Sequence, residues 1–194
     1  MTIVKYSLDE FVHDMESLVK GKPGQEQLFD KGSSHLARLV GNPDAIPDQF
    51  RVPVGSGKRA NHGSYLLYQG ASGLQVTAVV WGPGGHVGPH DHRTWGLIGV
   101  MENSITETRF RRQDDRSREG FAQLERDRVN QVKPGDVSLL IPDVDEIHQM
   151  DNLSDRPTAE IHVYGNDLRG LERSRFDLDA CTVANFATTR FDNC

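Results

Sequence analysis

The sequence predicts a mainly β protein, an antiparallel barrel or sandwich led by a short helical segment, in one domain covering residues 1–194. Three observations carry that prediction. Apolar residues recur at helical spacing only in the stretch up to residue 48. From about Phe50 onward, short apolar or alternating runs are separated by Gly, Pro, Asn and Asp, the texture of many short strands. No internal repeat or low-complexity linker divides the chain, and 194 residues are enough to bury one core.

The elements follow in order. Ser7-Leu8-Asp9-Glu10 has the form of a capping box, with the Ser7 hydroxyl accepting from the third helical N–H and Glu10 reaching back. Leu8, Phe11, Met15, Leu18 and Val19 then define an apolar stripe, so a first helix is expected to about Lys20, ended by Gly21-Lys22-Pro23-Gly24. A second helix is expected from Gln25 to Val40, with Leu28, Leu36 and Leu39 inward and Gly41-Asn42-Pro43 as its stop. The barrel is expected over residues 50–180, with strands near Tyr65–Tyr68, Leu74–Trp81, Trp95–Val100, Ile105–Phe110, Ala122–Leu124, Val137–Ile141 and Ala159–Tyr164. Gly70-Ala71-Ser72-Gly73 reads as a hairpin turn, and Lys133-Pro134-Gly135-Asp136 as a turn leading into a buried strand. The dense charge run Arg109–Arg118 is interrupted by Asp114 and Asp115 and reads as a solvated hairpin loop without a function of its own.

Bulk properties narrow the function. With 36% hydrophobic and 26% charged residues the chain has the composition of a soluble globular protein, and a formal net charge of −6 argues against a nucleic-acid surface. No apolar run reaches the roughly 18 residues a membrane helix needs, and Met1–Ser7 lacks a charged-then-apolar signal pattern. The only two cysteines, Cys181 and Cys194, imply no disulfide framework. A cytoplasmic protein is expected, with no membrane and no nucleic-acid partner.

The chemistry concentrates in Trp81–Gly96, and within it in His90-Asp91-His92. Side chains alternate in extended backbone, so two histidines two positions apart share a face and can grip one ion. Six other histidines compete for the third ligand position. His148 is the best placed, on a strand following the Pro134-Gly135 turn, where a returning barrel strand would face the pair. Three neutral imidazoles leave positions open on Fe(II) and suit activation of O₂. Zinc with three His and a water is the competing reading, giving hydrolysis or hydration.

These residues, with Gly82-Pro83-Gly84, Trp95–Gly99, Asp145–His148 and Ile161–Gly165, resemble the bacterial thiol dioxygenases. These form the cysteine dioxygenase family of the cupin superfamily, and the likeness is nearest to the 3-mercaptopropionate dioxygenase branch. It covers roughly Tyr65 to Arg175. It implies a cupin double-stranded β-helix (jelly-roll) barrel and mononuclear Fe(II) held by His90, His92 and His148. It further implies oxidation of a small thiol carboxylate to its sulfinic acid with both atoms of O₂. The metal-binding Glu that most cupins carry just after His-x-His is absent: Arg93-Thr94-Trp95-Gly96 stands there, and only Glu102 follows nearby.

His162 and Tyr164 match the family's outer-sphere pair, the Tyr hydroxyl pointing toward the metal's open positions and the His orienting it. The family usually places Ser two residues before that His; this chain has Glu160. Arg173, nine residues after Tyr164, stands where the mercaptopropionate branch carries its carboxylate-binding Arg, with Arg175 as the fallback. The carboxylate-binding Arg of the animal enzymes falls at Ser64 here, and the cysteine of their Cys–Tyr crosslink at about Gly96, which speaks against cysteine as substrate. Arg93 is a further candidate for contacting a second acidic group of a substrate. Two alternatives stay open: a three-His Fe(II) cupin acting on a non-thiol carbon acid, and a zinc-dependent or non-oxygenase cupin.

Overall fold

A computed structural model describes residues 5–54 and 61–194. The reading of residues 1–4 as free of a signal pattern lies outside the described residues. Two helices, α1 (Leu8–Lys20) and α2 (Gln25–Val40), lead the chain where expected. The Ser7/Glu10 capping box is present, with both reciprocal hydrogen bonds formed. No helix among the described residues is long and apolar enough to cross a membrane.

The strands are β1 (His62–Gln69), β2 (Gln75–Trp81), β3 (His86–His90), β4 (Gly96–Glu102), β5 (Ile105–Arg112), β6 (Leu124–Val132), β7 (Val137–Leu140), β8 (His148–Asp151), β9 (Thr158–Tyr164), β10 (Arg173–Asp177) and β11 (Thr182–Phe186). They form two antiparallel sheets, ordered β1-β2-β9-β4-β7 and β11-β10-β3-β8-β5-β6, the expected double-stranded β-helix. The last strand runs to Phe186, past residue 180.

The main core lies outside the barrel, between the helices and one face of the five-stranded sheet. Phe11, Met15, Leu36 and Leu39 pack there against Val76, Ala78, Val80, Leu97, Ile161 and Val163. Gly99 lets α2 approach β4 closely, because a Cβ there would lie 2.7 Å from Val40 Cγ1 and 2.9 Å from Leu36 Cγ. The opposite face of the same sheet looks into the barrel. Two smaller apolar clusters line that interior, one around Val79, Trp81, Ile105 and Met150, the other around Ile98, Leu140, Tyr164 and Leu168. Between them the interior turns polar.

The run Arg109–Arg118 divides. Residues 109–112 complete β5, and Arg109 is 1% exposed rather than solvated. It is paired at 2.8 Å with the equally buried Glu107, and it donates to the Asp145 and Leu139 carbonyls and to Ser138. A charge run shows the sign of its members but not what faces them, and this arginine faces a buried carboxylate.

Candidate metal centre and its cavity

Strand β3 ends at His90, and its pairing with β8 sets His90 directly opposite His148. His92 lies just beyond the strand, so the loop after β3, rather than strand alternation alone, aims it at the same point. The candidate ligand nitrogens of His90, His92 and His148 lie within 4.8 Å of one another. They are the one such cluster found among the described residues.

Each ring is held by its surroundings. His90 Nδ1 lies 2.9 Å from the Gly88 carbonyl, and His148 Nδ1 lies 2.9 Å from Glu107 Oε1. Those acceptors require Nδ1–H on both rings, which leaves their Nε2 atoms with free lone pairs. Burial, with the neighbouring rings and Arg173 adding to it, holds His90 and His92 well below the usual imidazole range. Burial also lowers His148, against the opposing pull of Glu107. The rings are therefore neutral near pH 7. His92 Nε2 and His148 Nε2 stand 3.1 Å apart, and His92 Nδ1 is buried without a hydrogen-bond partner. Three neutral, converging nitrogens backed by a buried carboxylate are a donor set that fits a divalent transition metal.

The loop carrying His92 is pinned from behind. Arg93 adopts a left-handed backbone, φ 53°, uncommon for a side-chain-bearing residue. Buried Glu146 accepts from the His92 and Arg93 N–H groups at 3.2 and 2.9 Å and from the Asp143 N–H at 2.9 Å. The Arg93 side chain meets Asp91 at 2.9 Å and donates to Ser174 Oγ at 2.9 Å. It lines a separate cavity of about 220 Å³ on the other side of the loop. The expectation that Arg93 contacts substrate is corrected: its charge is spent on Asp91 and the loop. Glu102 is half-exposed and paired with Arg51, away from the histidines.

The histidines open onto a cavity of about 590 Å³, which Tyr164, His162, Ser64, Arg173 and Arg175 also line. The Tyr164 ring stacks on His92, centroids 5.0 Å apart, and burial pushes its hydroxyl well above the usual phenol range. Behind it, His162 Nδ1 lies 2.8 Å from Tyr164 Oη, and His162 Nε2 lies 2.9 Å from Glu160 Oε2. The same oxygen accepts from Trp81 Nε1 at 2.5 Å. Gly96 pairs with Tyr164 across β4 and β9, and a Cβ there would touch the Tyr164 ring at 3.1 Å.

On the far wall Arg173, 5% exposed, lies over the Phe186 ring and donates to Thr188 Oγ1. Its buried Nε has no hydrogen-bond partner. Burial lowers its pKa, though an arginine stays charged. Arg175, two residues on, is exposed and stands across from His90 in the β10–β3 pairing. The structure thus brings His90, His92, His148, His162, Tyr164, Arg173 and Arg175 to one cavity, and Arg93 to another. Sequence reasoning missed Glu107 and Glu146. The signal for Glu107 was polar alternation in Ile105-Thr106-Glu107-Thr108-Arg109, which puts Glu107 and Arg109 on one face of β5; Glu146 left none.

Among solved structures, an oxalate oxidase in complex with glycolate is similar at 14% identity and a TM-score of 0.44, covering 60% of this chain and 57% of that one. The chain thus spans under two thirds of that protein's length. A sugar phosphate isomerase from a cupin superfamily, from Silicibacter pomeroyi, is similar at 16% identity and a TM-score of 0.45, covering 71% of this chain and 87% of that one. A conserved Klebsiella pneumoniae protein with a double-stranded β-helix domain is similar at 14% identity and a TM-score of 0.43, covering 63% of this chain and 90% of that one. The family match is more specific. Residues 59–176 match the family described as cysteine dioxygenase type I, and since this is more than half of the sequence, the chain belongs to that family.

Proposed function

We propose that this protein is a non-haem Fe(II) thiol dioxygenase, converting a small mercapto-carboxylate of the 3-mercaptopropionate kind to its sulfinic acid. The overall change is RSH + O₂ → RSO₂H, and both oxygen atoms enter the product. His90, His92 and His148 hold the metal, and Fe(II) there supplies the activation of O₂ that the oxidation requires. The remaining work falls to the chain. Arg173 anchors the carboxylate, Tyr164 and His162 manage a proton beside the reacting sulfur, and the apolar clusters above and below keep bulk water out.

One observation carries this reading: a single cavity holds the three neutral imidazoles and a buried guanidinium whose Nε has no protein partner. A buried donor without an acceptor is costly, and a bound carboxylate supplies one with bidentate geometry. Family membership supports the reaction class.

Oxygen uptake by the Fe(II)-loaded protein with 3-mercaptopropionate, mercaptosuccinate and cysteine tests the proposal. Uptake with a carboxylate thiol, sulfinate as product and a sharply raised KM in Arg173→Ala are expected. Absence of uptake with every thiol sinks the substrate assignment. The Glu160–His162 pair favours one second reading, oxidation of a non-thiol carbon acid, which uptake with a carbon acid alone would select. Stoichiometric zinc in the purified protein, with no rescue by Fe(II), rejects both.

A further inference from the structure

Part of the cavity wall is built after β10, beyond residue 176, where the family match stops. Strand β11 is the edge of the six-stranded sheet, and β1 is an edge of the five-stranded one. The chain that leaves β11 crosses from the first edge to the second as a strap. Ala187, Thr188, Thr189 and Phe191 line the cavity along the way.

The strap is fastened at both ends. At its start, Thr188 bridges to Arg169, and its carbonyl accepts from the Gly170 N–H at 3.1 Å. At its far end, the Asp192 N–H donates to the Ser64 carbonyl at 2.8 Å, and Asp192 Oδ2 accepts from the Ser64 N–H at 2.7 Å. The Asn193 amide treats Leu66 the same way, accepting from its N–H at 2.9 Å and donating to its carbonyl at 3.0 Å. Two side chains thus stand in for the neighbour that an edge strand lacks. Between the fastenings, the Phe191 ring is buried.

What the strap holds in place is a partner for Arg173. Thr188 Oγ1 accepts from Arg173 Nη2 at 2.5 Å, and the guanidinium lies over the Phe186 ring, 4.4 Å from its centroid. The ring fixes the plane of the guanidinium, and the hydroxyl fixes its rotation within that plane. The Nε–H is left without a protein partner. A long side chain that must be ordered on binding loses affinity, and one ordered beforehand does not.

We infer that Thr188 is a positioning residue: the strap Ala187–Asn193 sets the aim of Arg173 and so the affinity of the cavity for a carboxylate. Asp192 and Asn193 do not line the cavity, yet they hold the backbone that carries Thr188 to the guanidinium. Substrate recognition is therefore tied to the edge of a distant strand. The inference rests on Arg173 being the carboxylate anchor proposed above.

Titration calorimetry of the zinc-loaded protein with 3-mercaptopropionate tests it without turnover. Thr188→Val should weaken binding about 10-fold, as loss of a hydrogen bond to a charged group does, and Thr188→Ser should restore it. With the Fe(II) enzyme, Thr188→Val should raise KM by the same factor while kcat and metal stoichiometry hold. Asn193→Ala, at an exposed position, unfastens the strap and should also weaken binding. In the Thr188→Val background it should add little, because both changes act through one guanidinium. Unchanged affinity in Thr188→Val, with Arg173→Ala abolishing binding, overturns the inference and spares the anchor. A fall in kcat or metal content with KM unmoved also overturns it, since that marks a merely structural role. Full additivity of the two changes overturns the route from the strap through Thr188. If Arg173→Ala binds as tightly as the unaltered protein, or neither binds, the anchor falls and the inference falls with it.

Discussion

The two faces of β9 are equally buried and chemically opposite. Ala159, Ile161 and Val163 point outward into the apolar layer under the helices. Glu160, His162 and Tyr164 point inward, each tied to a named partner. The outward face holds the sheet against α1 and α2 by removing apolar area from water. The inward face contributes a row of groups that would be costly to bury without partners. One strand therefore packs against the helices on one side and lines the cavity with His162 and Tyr164 on the other, and the two-residue period keeps them apart.

That separation can be broken from either side. The largest effect expected is from His148→Ala, which removes a proposed ligand: metal affinity should fall by more than about 100-fold, beyond what loss of an outer partner costs, as read by metal analysis after dialysis. Ile161→Ala does the reverse. It should cost about 2–5 kcal/mol of stability by denaturant unfolding, while the folded fraction keeps its metal stoichiometry. If Ile161→Ala abolished metal binding in the folded protein, the two faces would not be independent.

Glu107→Gln sharpens the comparison. Burial raises the Glu107 carboxyl, but the hydrogen bond from His148 and the charge of Arg109 outweigh it and hold it down at about 2. The variant should weaken metal binding about 10- to 100-fold by loosening the His148 ring. Acid provides a graded version. His90, His92 and His148 are all held below the ordinary value of 6.5 in the fold, so the unfolded chain binds more protons below that pH. Stability of the metal-free protein should then be full above about pH 6.5 and fall as pH drops through it, by up to about 1.4 kcal/mol per pH unit for each ring. Thermal unfolding across pH 5–8 checks the sign. The smallest effect is expected from Gly99→Ala, where the added methyl meets Val40 and Leu36 and should cost about 1–3 kcal/mol without touching the metal.

Much of this was legible beforehand. Both helices fall where the capping box, the apolar stripe and the glycine stops put them, because those signals are local. The strands with alternating or continuous apolar runs were likewise readable. β6, Leu124–Val132, was mostly missed: it is an edge strand, largely exposed, and carries charges where a half-buried strand would alternate. β10 escaped because Arg173-Ser174-Arg175 looks like surface, yet Arg173 is buried against Phe186.

The sequence by itself determined the candidate groups of the proposed site: three histidines, a His-x-Tyr row with a carboxylate before it, and an arginine beyond. Spacing fixes which groups can share a face, and the resemblance to the family pointed to His162, Tyr164 and Arg173. Only the tertiary structure decided which charges meet. In sequence Arg109 reads as a solvated loop cation and Arg93 as a candidate substrate contact. One is sealed inside against Glu107 beside His148, and the other clamps Asp91 behind the His92 loop. A charge acts through its partner and its distance from water, and both are set by strands far apart in the chain.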